Sequence, residues 1–76
     1  MKSIIHRLLY DTDKSTLLHY DYMTGYSIYL TQNKRLFVTA GCDSFIKSTN
    51  HNTCKEYLGF VNPDKYIELF GEVEEA

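Results

Sequence analysis

The sequence lacks the features that usually mark an enzyme or a nucleic-acid-binding protein. Its four glycines are dispersed, so no glycine-rich loop is present to hold a phosphate, and its two cysteines form no CxxC pair. Eight Lys and Arg against ten Asp and Glu give a net charge of −2, and the basic residues are scattered. A dedicated nucleic-acid binder needs a concentrated basic face to displace counterions. We therefore expect no catalytic residues, no cofactor and no direct nucleic-acid binding.

Long apolar runs are also missing. No stretch reaches the roughly 18 residues of a membrane span, and "SIIHRLLY" is interrupted too early to form the core of a signal peptide. Without a signal sequence, Cys42 and Cys54 are expected to be reduced thiols. The sequence thus predicts a cytoplasmic protein that makes no membrane contact.

What the chain does contain is typical of a small globular domain. It has 76 residues, of which 43% are hydrophobic, with seven Tyr, four Phe and no Trp. No part of a chain this short could bury a core of its own, so we expect one domain over 1–76. Such a chain buries only about 60–65% of its unfolded surface, which predicts modest stability.

The first half, 1–41, reads as β-hairpins or a meander. "KSIIHRLLY" predicts one strand, "DTDKS" a turn, and "TLLHYD" a second strand paired with the first. Gly25 is free to adopt a positive φ in the next connection. A hairpin follows, with Asn33 predicted as the left-handed residue of its three-residue tip, 32–34. "CDSFIKSTNH" has no clear period and predicts a loop, with Phe45 and Ile46 tucked under the core.

Two short helices are predicted over 50–71. Thr53 and Glu56 have the spacing of a capping box for the first helix. Asn62 followed by Pro63 predicts the start of the second, and Gly71 its end. The apolar positions expected to face the core are Cys54, Tyr57 and Leu58, then Tyr66, Ile67, Leu69 and Phe70. An acidic tail, 72–76, carries Glu72, Glu74 and Glu75.

These elements predict an α+β fold: a small antiparallel sheet of three to four strands with two short C-terminal helices on one face. The alternating hairpin "GYSIYLTQNKRLFVTAG" places Tyr29 and Phe37 on the opposite face, which two helices cannot also cover. That face must meet water or a partner. Two roles are open for the rings: a cross-strand pair that contributes about 0.2–1 kcal/mol to the hairpin, or anchors for a partner. The row expected under the helices is Tyr26, Ile28, Leu30, Leu36, Val38 and Ala40.

The cysteines raise the question of a metal site. Cys42, His51 and Cys54 could supply three ligands, but a closed zinc site needs four, and His6 and His19 lie far away on strands. We expect no metal site, with Cys54 buried and His51 facing solvent. A zinc-dependent module is the alternative, which elemental analysis would detect.

Three segments resemble a class of small proteins encoded mainly by Firmicutes and their phages or mobile elements. "YDTD" is similar to the opening "YDT-D/E-T-A", and "YLTQNKRLFVTAG" to a hairpin of the form "LYRTKKGxFFLxGEGG". "NTCKEYLGFVNPDKYIELFGEVEEA" resembles an "EEAKEWLE" helix followed by "DEYEEIFGEVEE". The similarity runs from Tyr10 to Glu75, and Lys34 stands where the class usually has the turn glycine.

The resemblance favours a protein that works by binding another protein, since small acidic, tyrosine-rich phage proteins of this size include inhibitors of bacterial defence systems, among them anti-CRISPR proteins. We therefore expect a phage-type protein that binds and inhibits a host defence complex, such as a CRISPR–Cas effector. The residues expected at the contact are Tyr29, Phe37, Arg35, Thr31 and Asp21, with Arg35 meeting an acidic patch and Asp21 or the tail a basic groove. The alternative is a structural domain whose open face forms a homodimer.

Overall fold

A four-stranded antiparallel meander forms the centre of the molecule, and a separate two-stranded hairpin precedes it. The computed structural model describes residues 1–71 and 73–76, so Glu72 of the acidic tail lies outside the described residues, while Glu74 and Glu75 are exposed. The α+β class predicted from the sequence is confirmed. The elements are β1 (Lys2–Ile5), β2 (Leu8–Asp11), β3 (Thr16–Asp21), β4 (Tyr26–Leu30), β5 (Leu36–Ala40), β6 (Phe45–Ser48), α1 (His51–Val61) and α2 (Pro63–Phe70).

The N-terminal segment is a hairpin, so its prediction as one strand paired with "TLLHYD" is wrong. His6 and Arg7 both have positive φ, 51° and 66°, and turn the chain so that β1 pairs antiparallel with β2. This is the two-residue turn whose twist suits a β-hairpin, formed here without the Asn-Gly or Asp-Gly signal that usually marks it. β3 instead pairs with β4 alone and forms one edge of the meander.

The helices cover one face of the meander, as expected. Ile28, Leu36 and Leu58 are fully buried there, and Tyr57, Tyr66 and Phe70 pack around them. Leu18 joins this core because a bulge between Leu17 and His19 adds one residue to β3 and turns the Leu18 side chain to the helix side. The other two apolar residues predicted for α2, Ile67 and Leu69, are 40% and 37% exposed, so their predicted burial is wrong.

The opposite face is covered by the β1–β2 hairpin. Tyr10 of β2 is 4% exposed and packs with Tyr29 and Phe37, while Ile5 and Ile46 border the cluster. The expectation that Tyr29 and Phe37 meet water or a partner is therefore wrong, since they are 7% and 0% exposed. We call Tyr10, Tyr29 and Phe37 the aromatic cluster.

The segment predicted as a loop after β5 contains a fourth strand of the meander. β6 pairs with β5, with Ile46 opposite Thr39 on the hairpin side and Phe45 opposite Ala40 on the helix side. Phe45 is 53% exposed, so only Ile46 contributes to a core as predicted. A four-residue strand at a sheet edge is too short to show a period in the sequence.

The helix boundaries are confirmed for α2 and corrected for α1. Asn62 caps α2 by accepting the Lys65 backbone N–H at 3.2 Å, and α2 is followed by Gly71. α1 begins three residues earlier than the predicted capping box, because the Asn50 side chain accepts the Thr53 N–H at 3.0 Å. No helix among residues 1–71 and 73–76 is long and apolar enough to cross a membrane.

Candidate functional site

A cleft of about 280 Å³ separates β2 from the tip of the β4–β5 hairpin. One wall is β2 with Lys14 and Ser15, and the other consists of Thr31, Gln32, Asn33 and Arg35. β2 belongs to the two-stranded sheet, and the tip belongs to the four-stranded meander. The cleft therefore lies between the two sheets. We call it the seam cleft.

The aromatic cluster supports the seam cleft from beneath. Phe37 stacks on Tyr29 with ring centroids 5.3 Å apart, and Tyr10 meets the Phe37 ring edge-to-face at 5.3 Å. Tyr10 also lines the cleft, whereas Tyr29 and Phe37 do not. The two rings proposed from the sequence as partner anchors thus fix the position of the cleft wall instead of lining it.

Thr31 and Arg35, two of the five residues expected at the contact, do line the cleft. Thr31 N–H donates to the Arg35 carbonyl at 2.8 Å, and the Thr31 hydroxyl accepts the Arg35 N–H at 3.1 Å. These bonds fix the backbone of the tip and leave the Arg35 side chain exposed. Within the described part of the chain, the Arg35 guanidinium has no carboxylate within 4.0 Å, and the same holds for the Lys14 ammonium.

The acidic group in the cleft wall is already engaged. Asp11 is 5% exposed, and its Oδ1 accepts the Asp13 backbone N–H at 3.0 Å. Its carbonyl oxygen accepts a hydrogen bond from the Ser15 hydroxyl at 2.7 Å. Lys14 and Arg35 are therefore the exposed charges of the cleft, and its lining holds these two cations against the one buried Asp11 carboxylate, although the whole chain carries a net charge of −2.

Apolar side chains continue the surface beyond the cleft. Ile4 and Leu9 are directly opposite each other in the β1–β2 hairpin and are 74% and 50% exposed. Leu8, at the turn end of β2, is 37% exposed. Sequence reasoning missed these residues because it predicted one strand for the whole segment. The polar pair His6–Arg7 between two apolar pairs was the available signal of a turn.

Asp21 lies at the other end of β4 from the seam cleft, so the structure does not bring it together with Thr31 and Arg35. Its Oδ2 accepts the Tyr57 hydroxyl at 2.7 Å, and its Oδ1 accepts the Met23 N–H at 2.9 Å. The bond from Tyr57, and then that from Met23, lowers the pKa of the Asp21 carboxyl. Asp21 thus ties the β3–β4 turn to α1. The neighbouring Tyr22 and Met23 are 89% and 93% exposed.

The candidate metal ligands are not gathered into a site. No group of three or more His, Cys, Asp or Glu residues with metal-binding geometry occurs within 1–71 and 73–76. His51 Nδ1 accepts the Leu36 backbone N–H at 3.1 Å, which satisfies a donor at the start of β5. Cys54 is buried, and its burial raises the pKa of the thiol, whereas Cys42 is exposed in the β5–β6 turn.

Comparison with known proteins assigns no family. No protein-family model matches the chain, and neither a curated protein nor a solved structure matches it at a significant level.

Proposed function

We propose that this protein works in the bacterial cytoplasm as a non-catalytic inhibitor that binds a host defence complex, in the manner of an anti-CRISPR protein. The target class comes from the resemblance of the sequence to small phage-type proteins. The binding surface comes from the geometry: the seam cleft together with the exposed Ile4–Leu9 pair.

The observation that carries the binding surface is that the apolar groups of the β1–β2 hairpin adjoin the cationic groups of the seam cleft. Ile4 and Leu9 expose aliphatic side chains side by side, and Leu9 also lines the cleft in which Lys14 and Arg35 are unpaired with described carboxylates. Protein interfaces combine an apolar centre with arginine and a polar rim. Exposed apolar groups rimmed by polar residues are typical of protein-binding sites.

The test is phage challenge of bacteria that carry defined CRISPR–Cas systems. We expect the wild type to restore plaque formation in at least one system and to bind the purified effector complex. The Ile4→Ser/Leu9→Ser variant should lower affinity by about tenfold or more, because two apolar contacts are lost. Tyr22→Ser/Met23→Ser is the control, since it removes from the β3–β4 turn two apolar groups that are more exposed, at 89% and 93%, than Ile4 and Leu9, at 74% and 50%.

The alternative is a homodimer through the same Ile4–Leu9 pair, since both residues lie on the outer face of a two-stranded hairpin. Light scattering distinguishes a monomeric inhibitor from a homodimer by the mass of the protein in solution. A monomer that inhibits a system supports the proposed function. A dimer that the Ile4→Ser/Leu9→Ser variant dissociates, with no inhibition of any system in the panel, would overturn it.

A further inference from the structure

β2 has a free backbone edge. It pairs with β1 on one side only, and the register from Lys2 to Asp11 contains no shift. In a hairpin with a two-residue turn, the flanking residues Ile5 and Leu8 form a hydrogen-bonded pair, and the pattern alternates from there. Leu9 therefore directs its backbone N–H and C=O away from β1.

This edge faces the seam cleft. Leu8, Leu9, Tyr10 and Asp11 all line the cleft, with the Thr31–Arg35 tip across from them. The carbonyl of Asp11 is occupied by the Ser15 hydroxyl at 2.7 Å, so the open part of the edge ends there. The part of the β2 edge that can accept another strand is therefore short and centred on Leu9. The tip of the β4–β5 hairpin forms the opposite wall of the cleft.

The edges of the meander differ from that of β2. β3 carries a bulge between Leu17 and His19, and the β5–β6 ladder has an irregularity between Val38 and Thr39. Bulges are one of the means by which sheet edges avoid pairing with other chains. The ladder of β1 with β2 has no such feature, so both strands of the hairpin have regular edges, and β2 is the strand whose residues line the seam cleft.

The charges around this edge select the occupant. Lys14 lies at one end of β2 and Arg35 in the opposite wall, and neither has a carboxylate within 4.0 Å among the described residues. The Asp11 carboxylate, which could oppose an acidic ligand, is buried and accepts the Asp13 N–H. An extended segment with acidic side chains would gain charge-assisted bonds from both cations.

We propose that β2 takes up an extended acidic segment of a partner protein as a third strand of the β1–β2 sheet. The Leu9 backbone pairs with the segment, Lys14 and Arg35 bind its carboxylates, and Leu8 and Leu9 contact its apolar side chains. This is strand addition at a sheet edge, in which main-chain hydrogen bonds give affinity and side chains give specificity. The inference rests on the proposed function for the identity of the partner but not for the chemistry of the site.

The direct test adds a synthetic peptide of alternating Glu and Val to the protein. Amide NMR and hydrogen exchange of the protein then report where the peptide binds. We expect shifts confined to β2 and the Thr31–Arg35 tip, and slower exchange of the Leu9 amide. A Lys–Val peptide should bind about tenfold or more weakly, and so should a Glu–Val peptide with N-methylated backbone. Lys14→Glu/Arg35→Glu should abolish the preference for Glu, whereas Lys47→Glu/Lys65→Glu, with the same charge change on β6 and α2, should keep it. Equal binding of the Glu–Val and Lys–Val peptides would overturn the proposal. So would amide shifts at β3 or β6, or the absence of any shift on addition of the Glu–Val peptide.

Substitution of Leu9 by proline tests whether inhibition depends on this site. Leu9→Pro removes the outward N–H without touching a bond to β1, and proline is tolerated at sheet edges, whereas Leu9→Ala shortens the side chain and keeps the donor. A folded Leu9→Pro variant should lose effector binding about tenfold beyond Leu9→Ala. If both variants still inhibit, the strand proposal falls and the proposed function stands. If the wild type inhibits no system but binds the Glu–Val peptide at β2, the strand proposal stands and the proposed function falls.

Discussion

The Tyr29 hydroxyl donates a hydrogen bond to Asp43 Oδ2 at 2.7 Å and thereby connects the aromatic cluster to the β5–β6 turn. The Thr39 hydroxyl donates to the other oxygen of the same carboxylate. The turn needs this support, because Gly41, Cys42 and Asp43 all have positive φ, at 62°, 56° and 65°. Non-glycine residues adopt that conformation at a cost, so the two hydroxyl bonds help to hold a strained turn in place.

Tyr29→Phe should destabilise the protein without changing its fold. It keeps the ring stacked on Phe37 but removes a donor to a carboxylate, which we expect to lower the free energy of unfolding by roughly 1–2 kcal/mol. Urea denaturation at neutral pH measures the loss. Tyr22→Phe is the matched control, because the Tyr22 ring is 89% exposed. Equal stability of the Tyr29→Phe variant and the wild type would show that the hydrogen bond from Tyr29 to Asp43 does not stabilise the fold.

The same residue predicts an alkaline transition. Burial, followed by the hydrogen bond to Asp43, raises the pKa of Tyr29 to about 12. Because the folded pKa lies above the unfolded value near 10, the stabilisation is complete below pH 10 and is lost as pH rises through about 12. The wild type should lose more stability than Tyr29→Phe over this interval. Parallel loss in both proteins would contradict the assignment.

Phe37→Ala should severely destabilise the protein. Phe37 is fully buried between Tyr10 and Tyr29, and removing a buried phenylalanine side chain costs roughly 3–5 kcal/mol. Circular dichroism with urea denaturation measures the loss, and Phe37→Leu, which leaves a smaller cavity, should lose less. A loss below about 1 kcal/mol would mean that the ring is exposed. Because of this expected loss, alanine at position 37 is a poor test of partner binding.

The fold class and the helix-side core could be predicted because alternation and helical spacing act locally. Ile28, Leu36 and Leu58 are buried as the pattern indicated, and Asn62 with Pro63 marked the start of α2. The cover over Tyr29 and Phe37 could not be predicted in this way. It depends on a turn at His6–Arg7, which carries no glycine, and on a tertiary contact between segments about 27 residues apart that no local pattern encodes.

The candidate site was predicted only in part for the same reason. Thr31 and Arg35 were assigned to the correct face, and the cleft that they line exists because β2 folds back beside them. With the N-terminus read as one strand, neither Leu9 nor Lys14 could be placed there. Asp21 was selected for its charge, yet its two carboxylate oxygens are bonded to Tyr57 and Met23.

Tyr57→Phe should shift the titration of Asp21. The Tyr57 bond is the main cause of the lowered pKa of this carboxyl, whose ordinary value is 3.8, so its removal should move the pKa up towards that value. A lowered pKa stabilises the fold above the ordinary value, and this stabilisation is lost as pH falls through the folded pKa. NMR titration of the Asp21 carboxyl carbon measures the shift. Tyr20→Phe is the control, and an unchanged Asp21 pKa in Tyr57→Phe would contradict the role of the bond.

Lys34→Gly should stabilise the protein. The hairpin tip is a turn in which the Lys34 N–H donates to the Thr31 carbonyl at 2.9 Å, and Lys34, rather than the predicted Asn33, has the positive φ of 66°. A left-handed lysine costs roughly 1–2 kcal/mol and glycine loses about 0.5–1 kcal/mol of chain entropy, so the net gain should be about 0.5–1 kcal/mol. Lys34→Ala is the control for loss of the charge and should bring no gain, because it keeps the Cβ. Urea midpoints for the three proteins decide the matter: equal gains for Gly and Ala would show that the charge of Lys34, and not its backbone conformation, limits stability.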